Sequence, residues 1–146
     1  MIEFRNLTHS YAKGTPFANT AIKDINLTVK KGEFVGLIGH TGSGKSTLVQ
    51  HLNGLLKPDS GAVLIDGVDI NDKKNKKLKY KLKTGLVFQY PEDQLFEETV
   101  YKDIAFGPKN LGLSEAEIRR RVTLAASYTD LNDRLLSVSP FELSGG

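Results

Sequence analysis

The chain has 146 residues, 39% of them hydrophobic, with 20 Lys and Arg against 17 Asp and Glu for a formal net charge of +3, and it has no cysteine. Such a length and composition suit one globular domain with a real core and exclude a disordered or fibrous chain. The missing cysteines exclude disulfides and thiolate metal centres; no apolar run approaches the roughly 18 residues that span a bilayer, and Met1-Ile2-Glu3-Phe4-Arg5 lacks the pattern of a secretory signal. The chain is therefore expected in the cytosol. Its modest positive charge favours phosphates or a membrane surface without arguing by itself for nucleic acid.

Residues 2–7 read as a strand, a loop with Gly14 and Pro16 follows, and Ile25, Leu27 and Val29 alternate with polar residues before the Lys31-Gly32 turn. His9 falls between these segments and is expected, like His51 further on, to be a surface or partly buried polar residue. Phe34-Val35-Gly36-Leu37-Ile38 has the length and apolar content of a buried strand. It runs into Gly39-His40-Thr41-Gly42-Ser43-Gly44-Lys45-Ser46-Thr47, which satisfies G-x-x-x-x-G-K-[ST], and Leu48, Leu52 and Leu55 then recur at helical spacing. Strand, loop and helix in that order are the setting in which this pattern cradles a nucleoside triphosphate. A glycine-rich turn without a ligand is the weaker alternative.

The chemistry follows from the residue types. The glycines let the backbone come close to a phosphate, the N–H groups of the loop point at it, and the helix starting near Lys45 adds roughly half a positive charge. Lys45 is predicted to reach the β- and γ-phosphates, the Ser46 hydroxyl to ligate magnesium, and Thr47 to help hold the α-phosphate. His40 contributes backbone rather than imidazole.

Beyond the helix, Lys57-Pro58-Asp59-Ser60-Gly61 is turn chemistry, residues 62–65 form a strand and Asp66-Gly67 turns the chain back, which makes a small antiparallel addition. Lys73, Lys74, Lys76, Lys77, Lys79, Lys81 and Lys83 follow, with Leu78 and Leu82 four apart. A helix with a solvated basic face is the plain reading of that run, and binding to nucleic acid or anionic lipid the sharper one. A short strand over 85–88 leads to Gln89-Tyr90-Pro91-Glu92-Asp93-Gln94. Val100 and Ile104 share a helical face before Gly107-Pro108 is expected to stop that helix. Ser114-Glu115-Ala116-Glu117 has the capping-box pattern and opens a longer helix with Ile118, Val122 and Ala125 on one side and Arg119, Arg120 and Arg121 mostly exposed.

The chain closes on Leu143-Ser144-Gly145-Gly146. With the phosphate loop, Gln89 and Tyr11, in that order and approximate spacing, it resembles the nucleotide-binding domain of ATP-binding cassette transporters. Residues 39–47, the stretch Phe88-Gln89-Tyr90-Pro91-Glu92-Asp93-Gln94-Leu95-Phe96, and Ser139-Pro140-Phe141-Glu142 ahead of the closing motif resemble more narrowly the ATPase subunits of energy-coupling factor importers, which take up vitamins or metal ions such as cobalt.

That resemblance implies an α/β P-loop fold with an N-terminal antiparallel β subdomain and a partial core over 1–90, a helical subdomain over 91–146, and a sheet core left incomplete after Gly146. It gives Tyr11 the role of stacking on adenine and Gln89 that of contacting magnesium and the attacking water. Ser144, Gly145 and Gly146 would touch the γ-phosphate held by the opposite subunit of a head-to-tail dimer. ATP and Mg2+ are the implied cofactors. The implied partners are a second ATPase subunit, expected to be a sibling rather than a copy, a transmembrane coupling subunit and a solute-binding membrane subunit, at the cytoplasmic face of the membrane. In the family a catalytic glutamate and a γ-phosphate-contacting histidine follow the closing motif, so the parent is expected to hydrolyse ATP while residues 1–146 bind it without turnover. Two other readings compete. One is a nucleic-acid-associated ATP-binding protein using residues 73–83, which Tyr80 alone supplies with an aromatic; the other is a phosphoryl-transfer kinase, in which residues 143–146 have no evident use.

Overall fold

A computed structural model describes residues 1–75 and 84–144. The chain forms two compact units, Met1–Leu86 and Val87–Gly146. The first is built on an antiparallel sheet of order β2-β1-β3-β4, formed by β1 (Ile2–Tyr11), β2 (Asn19–Val29), β3 (Ser60–Ile65) and β4 (Val68–Asp69). Helix α1 (Lys45–Leu52) lies on it.

Strand β1 is longer than its hydrophobic alternation suggests, because it changes face midway. Asn6 has φ 46° and sits at a register shift between Phe4 and Leu7, and Asp24 with φ 50° lies across from it in β2. The Asn6 N–H donates to Asn26 Oδ1 at 2.9 Å and its Nδ2 donates to Asp24 Oδ1 at 2.7 Å, so the bulge is satisfied by side chains. Past it, Leu7 and His9 point to the core side that Phe4 occupies before it. On the other flank Gly61 packs against the bulge: a Cβ there would lie 2.3 Å from the carbonyl oxygens of both Arg5 and Asn6.

Phe4, Leu7, Ile22, Leu48, Val63, Ile65 and Ile70 form the buried core, with Ile2, Ile25, Leu27 and Leu52 packed against it. Full burial of a side chain such as Leu7 contributes about 1.5–3 kcal/mol. Leu48 and Leu52 are the face by which α1 joins this core. The helix ends at Leu52, so Leu55, expected on the same face, lies beyond it and is exposed. His51 is wholly buried and His9 nearly so, which corrects the expectation of surface or partly buried positions: their rings meet where α1 lies beside β1.

The expected strand 34–38 has no regular secondary structure and pairs with no described strand, and Phe34 and Ile38 are fully exposed. Apolar composition made it a candidate for the middle of a parallel sheet, but burial there requires ladder partners on its flanks. The expected strand 85–88 is likewise unpaired, with Val87 exposed. Of the lysine run, Lys73–Asn75 forms a 3-10 turn; residues 76–83, where the basic helix was expected, lie outside the described residues, as do Gly145 and Gly146.

In the second unit, α2 (Val100–Asn110) and α3 (Glu115–Tyr128) pack through Ala105, Ile118 and Val122, with Tyr101, Ile104, Leu113 and Leu136 around them. Thr99 caps α2 by accepting from the Lys102 N–H at 3.2 Å. Pro108 does not stop α2, which runs on to Asn110: in the last turn a proline withholds only one donor, and Leu111 N–H still reaches Gly107 O at 3.2 Å. On α3, Ala126 rather than Ala125 completes the buried stripe.

The expected capping box is half made. Ser114 Oγ accepts from the Glu117 N–H, but the Glu117 carboxylate turns to Arg120 at 2.8 and 2.9 Å and to Arg121 at 2.8 Å. These guanidinium hydrogen bonds, Arg120 first, hold Glu117 down at about 2 from an ordinary 4.5. Its folded value lies below its unfolded one, so its stabilisation is complete above pH 4.5 and is lost as pH falls toward about 2. Thermal midpoints followed by circular dichroism should fall over that window, and Glu117→Gln should fall less steeply. Parallel profiles for the two proteins would remove the effect from Glu117.

Candidate nucleotide site

The loop before α1 is held open by contacts within itself and with β2. Gly44, the N-cap, has φ 88°, and a Cβ on it would lie 2.6 Å from the Ala21 carbonyl oxygen and 2.7 Å from Ile22 Cγ2. Only glycine lets the loop meet β2 this closely. A Cβ on Gly39 would lie 2.7 Å from Ser43 Oγ, a side-chain atom that can turn away, so the constraint there is weaker than at Gly44.

Helix α1 starts without a side-chain cap and with no acidic residue in its first turn. Its first internal bond runs from Leu48 N–H to Gly44 O at 2.8 Å, which leaves the N–H groups of Lys45, Ser46 and Thr47 as its free donors. These, with the helix dipole, make an electropositive end that no described side chain caps and no acidic residue of the first turn offsets. Lys45 folds back over the loop and donates to Gly39 O at 2.7 Å, His40 O at 2.8 Å and Ser43 Oγ at 3.3 Å. All three of its protons are engaged, so an incoming phosphate oxygen would displace or share the longest bond, that to Ser43. His40 Nδ1 lies 2.8 Å from the Thr41 carbonyl, a contact local to the loop. Ser43 N–H is tied to His40 O at 3.2 Å, while Gly42, with φ 83°, has open space around it.

Tyr11 closes the other side. It ends β1, is 42% exposed, and its hydroxyl lies 3.1 Å from Thr47 Oγ1. The strand-end tyrosine and the phosphate-loop helix are thus joined in one unit, with the Tyr11 side of that contact still partly exposed. Thr47 itself is buried, its hydroxyl turned to Tyr11.

Ser46 is exposed at the helix start. Among the described residues no group of three or more His, Cys, Asp or Glu gathers to hold a metal. A single hydroxyl oxygen beside a phosphate cradle fits magnesium, which keeps water and phosphate oxygens as most of its ligands. Gln89 and Ser144 belong to the second unit, where both are exposed; Ser144 follows a turn, Pro140–Glu142, capped by Ser139 Oγ accepting from Phe141 N–H.

The sequence, which suggested only surface or partly buried polar positions for His9 and His51, assigned neither a place beside the site. His9 is two residues before Tyr11 on the same strand face, and His51 four after Thr47 on the same helix face; that shared spacing was the available signal.

A family model described as ABC transporter matches residues 22–146. The chain is 60% identical over 146 residues to the energy-coupling factor transporter ATP-binding protein EcfA2 of Clostridium tetani, covering 99% of this chain and 51% of that protein. It is 57% identical over 150 residues to EcfA2 of Clostridium acetobutylicum, with the same coverage. The chain thus spans about half the length of the curated relatives it matches. Among solved structures, the ATP-binding cassette MJ0796 in a dimeric post-hydrolysis state bound to ADP and Pi superposes with a TM-score of 0.81 at 31% identity, over 99% of this chain and 64% of that one. CbiO1 of Clostridium perfringens, described as part of the ABC transporter complex cbiONQ, gives 0.77 at 40% identity over 98% and 55%. The chain shares the α/β fold of these cassettes, and the matched residues place it in the ABC transporter family.

Proposed function

We propose that the chain is the ATP-binding part of an energy-coupling factor type ATPase, the energising subunit of an importer for a vitamin or metal ion. The observation that carries this is the uncapped start of α1, with Lys45 closing the loop over it. Residues 39–47 hold the triphosphate: loop and helix N–H groups take the phosphate oxygens, Lys45 bridges the β- and γ-phosphates, and Tyr11 stacks on the base. Ser46, with Gln89, would hold a magnesium ion whose charge offsets that on the phosphate oxygens. In the complete protein, in-line attack of water on the γ-phosphorus yields ADP and phosphate.

The same reading assigns residues 1–90 to the nucleotide-holding subdomain and 91–146 to a helical subdomain. Ser144, Gly145 and Gly146 then serve the γ-phosphate of a second ATPase subunit in a head-to-tail dimer. The dimer works at the cytoplasmic face of the membrane on a transmembrane coupling subunit and a solute-binding membrane subunit. The EcfA2 names of the relatives and the dimeric, ADP-bound state of a structural neighbour support this assembly. No helix among the described residues is long and apolar enough to cross a membrane, which accords with a peripheral subunit.

Calorimetric titration of the complete protein with MgATP is the test. Saturable binding that inorganic tripolyphosphate competes away, and duplex DNA does not, is the expected result. No saturation at millimolar ATP would overturn it.

A further inference from the structure

Two buried histidines behind the phosphate loop have no part in the function proposed so far. His51, at the end of α1, is fully buried; its Nδ1 lies 2.7 Å from the Thr47 carbonyl oxygen and its Nε2 has no partner among the described residues. A carbonyl only accepts, so Nδ1 carries the proton and Nε2 keeps a bare lone pair. Burial pushes this imidazole below the ordinary histidine value, which keeps it neutral. An aliphatic side chain would fill the site without stranding a polar atom, so the ring calls for a reason beyond volume.

The reason is where its ring leads. The His51 ring meets that of His9 with centroids 4.8 Å apart at 76°, and His9 meets Tyr11 at 4.8 Å and 78°, both edge to face. His9 is itself fixed on the far side, its Nδ1 3.0 Å from the Lys57 carbonyl oxygen. Tyr11 then returns to α1 through its hydroxyl at Thr47, the residue whose carbonyl His51 holds. The four side chains make a closed circuit from β1 to α1 and back. Tyr11, its outermost member, is held at both its ring and its hydroxyl.

We propose that His9 and His51 are positioning residues that fix the Tyr11 ring for stacking on the base of a nucleotide whose phosphates occupy residues 39–47. This rests on the nucleotide reading above. It makes the base contact separable from the phosphate contact: the histidines act on the former through Tyr11 and leave the latter to Lys45 and the loop.

The test compares affinity for MgATP with that for inorganic tripolyphosphate, which fills the phosphate loop but has no base, in the complete protein. Tyr11→Ala sets the full loss of base preference. His51→Asn keeps a donor near the Thr47 carbonyl but loses the ring, and His9→Ala breaks the ring chain in the middle. Each is expected to weaken ATP binding about two- to tenfold, the worth of one aromatic pair, with tripolyphosphate affinity unchanged. His51→Phe restores a ring edge and should return the ATP preference to the wild-type value. Equal losses for both ligands, an unchanged ratio, or a failure of phenylalanine to rescue would each overturn the proposal. Lys45→Ala separates it from the reading it rests on: retained binding of both ligands there would sink the phosphate-loop assignment itself.

Discussion

Lys45→Ala is expected to remove ATP binding while leaving the thermal midpoint of the protein where it is. Two charge-assisted contacts to the β- and γ-phosphates disappear, each worth about 1.5–3 kcal/mol, so affinity should fall at least about 100-fold at 1.4 kcal/mol per tenfold. The free protein loses little. The three bonds from Lys45 Nζ to Gly39 O, His40 O and Ser43 Oγ are exposed, and water replaces the ammonium at each acceptor. A surface substitution of this kind normally stays within about 0.5 kcal/mol. Lys45→Arg keeps the charge but replaces a compact ammonium by a planar fork, which does not fit three acceptors converging on one point; it should bind ATP nearly as poorly as alanine. Calorimetric titration beside a thermal melt checks both halves. A melt that drops as far as the affinity would mean that Lys45 holds the loop together rather than holding the ligand.

The local chemistry of this site was legible in the sequence because it is written in consecutive residues. The order strand, Gly39 to Thr47, helix states both the pattern and its setting, whereas Tyr11, beyond the strand read over residues 2–7, was picked out only by the family resemblance. Less legible were features decided by tertiary contact. The period-two reading of β1 stopped at Leu7, because Phe4 and Leu7 are three apart and alternation cannot pass through a bulge; the Asn6 conformation that makes the bulge is favoured by its side-chain bonds to β2. His51 reads as an ordinary polar helix residue until β1 is laid over it, and only the packed seam makes it fully buried. Residues 34–38 teach the converse. An apolar run records a need for burial, yet it names no partner, and none of the described strands pairs with it.

Gly44→Ala should cost both stability and ATP binding, and Gly42→Ala shows why. Both glycines have positive φ, 88° and 83°, so alanine at either pays the left-handed penalty of about 1–2 kcal/mol. Their surroundings differ. A Cβ at Gly42 meets nothing within 4 Å, whereas one at Gly44 would lie 2.6 Å from the Ala21 carbonyl oxygen and 2.7 Å from Ile22 Cγ2. Ala21 is backbone of β2 and Ile22 is in the core, so neither yields cheaply; overpacking of this kind adds about 1–3 kcal/mol. The combined cost at Gly44 is about 2–5 kcal/mol. The likeliest relief available to the chain is to push α1 off β2, which would break the Tyr11–Thr47 contact and misdirect the free N–H groups of Lys45, Ser46 and Thr47. Chemical denaturation of the two variants, with ATP titration of each, tests this: equal losses of stability at Gly42 and Gly44 would show that backbone conformation, and not the close approach to β2, is what demands glycine at the start of α1.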